Sequence, residues 1–313
     1  TGVEDELTYL IESSSNRIGA LDFQTSAKIY TPRQSKGATV DELMNAADLV
    51  NKGIPLSEEL GKALLHGTAI GGARPKATLT DNKTQYIAKF STAEDTYNVV
   101  KAEYIAMKLA ELVGINVAEV KLVEKMGRSI LLVKRFDRTP IKSGWGRRNV
   151  VSALTILGLS DSLARYASYE DIAGFIKQDF NSPKEHLIGL FSRMVFNVLV
   201  GNNDDHARNH AAFWDGERLD LTPAYDICPQ SRSSEMATQA IKIMGNESQS
   251  QISLCIKAAS IFNLSKEKAK YICEEQVKVI EDNWDKVCEE AELSEIDKRI
   301  LWKNQILNPY CFY

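Results

Sequence analysis

Apolar and polar residues alternate differently in the two parts of this chain. From about residue 17 to 137, short runs with a period of two recur: "RIGALDF" (17–23), "KATLTD" and "QYIAKF" (76–90), "AEVKLVEKM" (118–126) and "SILLVKRFD" (129–137). Such alternation predicts half-buried strands. The stretch "KATLTDNKTQYIAKF" places Asp81, Asn82 and Lys83 between two runs, which predicts a hairpin, and "GRSI" turns the chain between the next two strands. Two helical stripes interrupt this region. One is "TYNVVKAEYIAMKLAELVGI" (96–115), with Val99, Tyr104, Ile105, Leu109 and Leu112 on one face and Gly114 as its stop. The other is "TVDELMNAADLVNKG" (39–53), with Thr39 as N-cap.

Beyond about residue 138 the period becomes helical, in segments 166–180, 184–201, 250–262 and 265–291. The exception is "HAAFWDGERLDLTPAYDI" (210–227), where Asp215-Gly216 predicts a short hairpin. The expected fold class is α+β, with a small sheet-plus-helix lobe over 1–137 and a larger, mainly helical lobe over 138–313. A cleft between lobes is a common place for a ligand.

Three clusters carry chemistry. "GTAIGGARPKATL" (67–79) offers Gly67, Gly71 and Gly72, whose backbone bends tightly and exposes N–H groups to an anion, with Arg74 and Lys76 beside them. It is either an anion cradle or a Gly-rich turn before a strand, and it does not meet the Walker pattern. Lys89, inside an apolar strand, either faces solvent on an edge or meets a carboxylate such as Glu103 on the following helix. The latter is the kinase solution, in which the lysine also meets nucleotide phosphates.

The third cluster is "GNNDDHARNH" (201–210) with "TPAYDICP" (222–229). Asp204 and Asn209 have the five-residue offset of a kinase catalytic Asp and metal-binding Asn, and Asp226 follows after the hairpin. Phosphoryl transfer needs a carboxylate to accept the proton of an attacking hydroxyl and oxygen ligands for Mg²⁺. Asp and Asn also cap and turn helix ends, which explains each residue alone but not the ordered set. His206 and His210 stand four apart, yet no H-E-x-x-H is present, and no G-x-S-x-G marks a hydrolase.

Composition narrows the classes further. The 313 residues are 44% hydrophobic and 26% charged, ordinary for a folded protein. Net charge is −4, so no global basic field draws the chain to nucleic acid. Five cysteines at irregular spacings, without a C-x-x-C pair, fit a reducing compartment, and the expected location is cytoplasmic. The acidic N-terminal residues show no signal peptide, and no apolar run is long enough to span a membrane.

The order of Gly-rich loop, strand lysine, helix glutamate, D-x-x-x-x-N and late Asp is kinase grammar. The wording "GGARPKA", "LLVKRFDR", "NNDDHARNH" and "TPAYDICP" resembles the HipA family of bacterial serine/threonine kinase toxins. The resemblance runs from about residue 16 to at least 241. It implies a bilobal protein-kinase-like fold using ATP and Mg²⁺. Asp204 would be the base, with His206 beside it contacting nucleotide or holding the loop, and Asn209 and Asp226 would hold Mg²⁺. Lys89, supported by Glu103, and Lys76 would meet the phosphates over Gly71 and Gly72. The backbone of Lys134 and Phe136 would bind adenine, with Asp137 near the ribose.

Family members often carry an autophosphorylated serine early in the Gly-rich segment. The matching position here is Ala69, with Thr68 beside it, so this chain lacks the switch, uses Thr68, or is a serine-to-alanine variant. Family members also carry a small β-rich subdomain before "NRIGAL", which this chain lacks or receives from another protein. The implied activity is a toxin kinase acting on a protein substrate, an aminoacyl-tRNA synthetase such as glutamyl-tRNA synthetase. The implied partner is a helix-turn-helix antitoxin that carries the DNA contact. The alternatives are a nucleotide-binding pseudokinase paired with that antitoxin, and a small-molecule kinase.

Overall fold

The structure is a computed structural model that describes residues 6–12, 14–33, 76–81, 83–91, 95–125, 127–142, 144–232, 234 and 236–313. The helix expected over 39–53 and the loop residues Gly67, Thr68, Ala69, Gly71 and Gly72 lie outside the described residues. Helices and strands are mixed, and the chain divides into two compact units: Thr1–Asp95 with Lys121–Asn149, and Thr96–Val120 with Val150–Tyr313.

In the first unit a short helix α1 (Glu6–Glu12) precedes strands β1 (Lys76–Asp81), β2 (Thr84–Phe90), β3 (Val120–Lys125) and β4 (Arg128–Lys134). These form a four-stranded sheet in the order β1-β2-β4-β3. The expected hairpin forms with Asp81 paired to Thr84, a two-residue connection. Alternation sorts the faces, and Ala77, Ala88, Phe90 and Ile130 pack with Leu79 and Leu132. A second hairpin joins β5 (Arg138–Ile141) to β6 (Gly144–Arg147).

The strand expected over 17–23 does not form. Its backbone carbonyls are taken instead by guanidinium groups: Arg135 Nη2 donates to the Arg17 carbonyl at 2.7 Å, and Arg138 Nη1 to that of Gly19 at 2.9 Å. With Gly19 at φ +81°, the segment bends around two buried cations rather than joining a ladder.

In the second unit, helix α2 (Val99–Leu112) starts at Asn98, whose side chain accepts from the Lys101 amide. Strand β7 (Asn149–Ser152) and the single turn α3 (Ala153–Ile156) lead into a 3-10 segment, Asp161–Tyr166. Helix α4 (Tyr169–Asp179) begins later than the expected residue 166, because Ser168 is extended and caps the Asp171 amide.

Helix α5 (Pro183–Leu199) has proline in its first turn and is buried on nearly all sides from Leu187 to Leu199. Phe191 meets Phe262 edge-on with ring centroids 5.3 Å apart. Strands β8 (Ala211–Trp214) and β9 (Leu219–Leu221) form the second expected hairpin, within a three-stranded sheet ordered β7-β8-β9. Helices α6 (Ile252–Lys257), α7 (Lys266–Glu290) and α8 (Glu295–Leu301) complete the unit. No helix among the described residues is long and apolar enough to cross a membrane.

Candidate active site

The loop "GNNDDHARNH" begins where α5 stops. Gly201 takes φ +67°, a left-handed conformation that suits glycine, and its carbonyl accepts from the Gln230 amide at 3.0 Å. The two adjacent aspartates then part company. Asp204 is exposed, whereas Asp205 is 1% exposed. Asp205 accepts from the Tyr169 hydroxyl on one oxygen and from His210 Nε2 at 2.8 Å on the other.

Asn209 closes the turn. Its Nδ2 donates to the Asp204 carbonyl at 3.3 Å and its amide to the His206 carbonyl at 2.8 Å. With the NH₂ group held by the loop, the carboxamide oxygen is the end of Asn209 suited to a hard cation. His206 is half-buried, and its backbone carbonyl rather than its ring makes the loop contact with Asn209.

The loop of Asp226 is anchored at both ends. The Thr222 amide and hydroxyl both bond the Ala211 carbonyl, at 3.0 and 3.2 Å. The Ala224 amide donates to the Asn116 carbonyl at 2.8 Å, and the Pro229 carbonyl accepts from the Tyr97 hydroxyl at 2.7 Å. Between these anchors Asp226 is half-buried at φ +59°. Tyr225 bridges the two loops, its hydroxyl donating to the Arg208 carbonyl at 2.8 Å. Burial, with the Asp226 carboxylate beside it, pushes the Tyr225 phenol well up, so it stays a neutral donor.

Asp204 thus stands exposed as a base needs. Asn209 and Asp226 carry the oxygen chemistry of a Mg²⁺ site, in which one or two protein ligands suffice and phosphate and water complete the shell. No cluster of three or more His, Cys, Asp or Glu suited to a metal occurs among the described residues.

In the first unit, Lys89 is 7% exposed in β2 and Lys76 half-buried in β1, and the register sets them directly opposite each other. In the second unit Glu103 is 4% exposed in α2. Lys134 ends β4 with its side chain exposed, and Phe136 sits half-buried in the turn that follows.

Asp137, the residue expected near the ribose, is held by donors within its own unit. It is 1% exposed and accepts from Arg135 Nε and Nη2 at 2.9 and 2.7 Å, Arg138 Nη1 at 2.7 Å and the Gly19 amide at 2.7 Å. This carboxylate is a structural lock. Burial alone raises its pKa, but the hydrogen bond and charge of Arg135, with Arg138 and Gly19, outweigh burial and hold it below the usual carboxylate range.

Sequence reasoning missed Tyr169, Arg193 and the burial of Asp205. Arg193 is 4% exposed on α5 and donates to the Thr222 carbonyl at 2.5 Å. Burial pushes this guanidinium down to about 10. A lone arginine in the apolar run "LFSRMVF" was the signal available.

Known proteins resemble this chain at two levels. The serine/threonine-protein kinase toxin HipA of Shewanella oneidensis is 27% identical over 183 residues, covering 51% of this chain and 42% of that protein. A putative kinase of Haemophilus influenzae is 26% identical over 189 residues, covering 54% of this chain and 55% of its own length. The chain therefore spans about half the length of these curated relatives. Among solved structures, the complex of Shewanella oneidensis MR-1 HipA, HipB and operator DNA contains a chain matched with TM-score 0.70 at 21% identity, over 94% of this chain and 75% of that one. The Helicobacter pylori proinflammatory kinase CtkA matches with TM-score 0.53 at 18% identity, over 77% of this chain and 91% of its own. These structural likenesses show a shared fold. Residues 68–284, well over half the sequence, match the HipA-like C-terminal domain, and the chain belongs to that family.

Proposed function

We propose that this chain is an ATP- and Mg²⁺-dependent serine/threonine kinase of bilobal, kinase-like architecture, with the smaller lobe over 1–137 and the larger over 138–313. The observation that carries the reading is the division of labour in one loop. Asp204 is exposed, its neighbour is buried, and Asn209 is tied by its NH₂ group to the Asp204 carbonyl. Asp204 orients the acceptor hydroxyl and takes its proton. Asn209 and Asp226 hold the metal ion through oxygen. Lys76 and Lys89 neutralise phosphate charge, and the 134–136 backbone is assigned to adenine. Bound Mg·ATP supplies the transferable phosphoryl group.

By likeness to its relatives, the chain acts as the toxin of a toxin–antitoxin module and phosphorylates a protein. An aminoacyl-tRNA synthetase such as glutamyl-tRNA synthetase is the proposed target class, in the cytoplasm. The partner is a HipB-like helix-turn-helix antitoxin, as the HipA, HipB and operator DNA complex suggests, with DNA bound through that partner. The test is transfer of label from ATP into lysate protein. Asp204→Asn should lower it by about 10²- to 10⁴-fold, the usual contribution of a positioned base. Undiminished transfer by that variant would sink the assignment. Mg·ATP binding without any turnover by the parent protein would favour a nucleotide-binding pseudokinase instead.

A further inference from the structure

We propose that Asp205 is the positioning residue of this site: gripped between Tyr169 and His210, it sets the loop that carries Asp204 and Asn209. The inference rests on Asp204 being the base. Asp205 itself is unsuited to that role, since it is 1% exposed and each of its oxygens already accepts a hydrogen bond.

The two partners come from separate elements. Tyr169 opens α4 and is fully buried; His210 leads into β8 and is 2% exposed. Their rings meet edge-on with centroids 5.2 Å apart, so packing fixes both donors as well as hydrogen bonding. Burial, then the charge of Asp205, pushes the Tyr169 phenol far up, and it remains a donor to the carboxylate. The chain of contacts closes on the loop itself. Asn197, in the last turn of α5, reaches the Tyr169 hydroxyl at 3.4 Å, and Asn202 donates to the Asn197 side-chain oxygen at 3.0 Å.

A buried carboxylate also needs compensating charge. Arg193, 4% exposed, lines the same small cavity as Asp205, Asn209 and Tyr225. Its Nη2 holds the Thr222 carbonyl, at the head of the Asp226 loop. Asp205 and Arg193 therefore brace the two loops from below. Asp204 lies one peptide from that anchor, and any shift of Asp205 moves the base with it. Misplacement of a reacting group by about 1 Å is enough to cost ~100-fold in rate.

Tyr169→Phe, Asp205→Ala and Asp205→Asn, each in the full chain, test this. Transfer from labelled ATP, nucleotide affinity, melting temperature and hydrogen exchange of the 201–210 peptide are read for each. Tyr169→Phe and Asp205→Ala should lower kcat by about 10- to 100-fold. Nucleotide affinity should hold, and exchange in the loop should rise. Asp205→Asn should recover most of the rate, because it keeps the shape of the side chain and an oxygen that still accepts from the Tyr169 hydroxyl. Should Asp205→Ala not fold, Tyr169→Phe carries the test, since it removes one hydroxyl and keeps the ring. Full rate and unchanged exchange in a folded Tyr169→Phe, beside an inactive Asp204→Asn, overturns this inference alone. A rate loss that cooling below the variant's melting temperature abolishes overturns it too, by reducing Asp205 to a stability residue. Full transfer by Asp204→Asn instead sinks the base assignment.

Discussion

Lys76 and Lys89 stand directly opposite each other across β1 and β2, while the next pair, Ala77 and Ala88, lies on the other face among Phe90 and Ile130. Like charges placed opposite in a sheet destabilise the pair. Two lysines on one sheet face, one buried and one half-buried, suit an anion such as a polyphosphate. Mg·ATP at a hundred times its Kd should stabilise the protein by about 2.7 kcal/mol, read as a rise in melting temperature. Lys89→Met should lose most of that rise. Lys270→Met, on a side chain 68% exposed, should keep it. An equal rise in both variants would remove Lys89 from the proposed nucleotide site.

The Asp137 lock gives a stability prediction with a pH signature. Arg135 and Arg138 have side chains 0% and 2% exposed, and Asp137 accepts from both. Removing the carboxylate leaves two buried cations without it, so Asp137→Ala should cost about 3–5 kcal/mol in denaturant unfolding. The folded-state pKa is depressed, so this contribution is complete above the unfolded value of about 3.9 and fades as pH falls through the folded one. The parent protein should therefore lose stability below about pH 4, and Asp137→Asn should flatten that part of the curve. A variant with the parent's acid profile would show that other carboxylates govern it.

The periodic signals were the legible part of this molecule. Strand alternation located the β1–β2 hairpin, and the helical stripe located α2 and α5, because each follows from which face must be buried. The strand that did not form and the unforeseen burial of Asp205 share one physical cause, long-range polar contacts that no local pattern encodes. "RIGALDF" alternates like a strand, but guanidiniums from residues 135 and 138 claim its carbonyls. Asp204 and Asp205 are identical in sequence terms, and only the Tyr169 hydroxyl and His210 ring decide which is buried. The order of the candidate site residues was legible because spacing within one loop is local. The bracing beneath them joins positions from 169 to 222 and was not.

Gly201 offers a sharper test of how the loop is held. A Cβ there would lie 2.6 Å from the Gln305 carbonyl oxygen, and the residue already sits at φ +67°. Backbone atoms do not swing aside as a side chain does. Left-handed backbone alone costs a non-glycine residue about 1–2 kcal/mol, and the clash adds to it. Gly201→Ala should destabilise by about 2–4 kcal/mol. Gly216, at φ +111° in the β8–β9 turn, has nothing within 4 Å of where a Cβ would stand, so Gly216→Ala should show only the backbone cost. Equal losses in the two variants would mean that the Gln305 contact contributes nothing.

The cysteines make the last prediction. All five are buried and none is in a disulfide. Burial pushes the Cys273, Cys288 and Cys311 thiols up to about 12, and Cys255 well above its ordinary value. Since the thiolate is the reactive form, a thiol reagent at pH 8 should label the native protein slowly, at a rate set by local opening. Unfolding should release all five. The order is also specified, because Cys228 is 8% exposed whereas Cys255 and Cys311 are 0% exposed. Mass spectrometry of partly labelled protein should find Cys228 modified first. Early labelling of Cys255 would contradict the packing of α6 and show that this part of the second unit opens more readily than its burial implies.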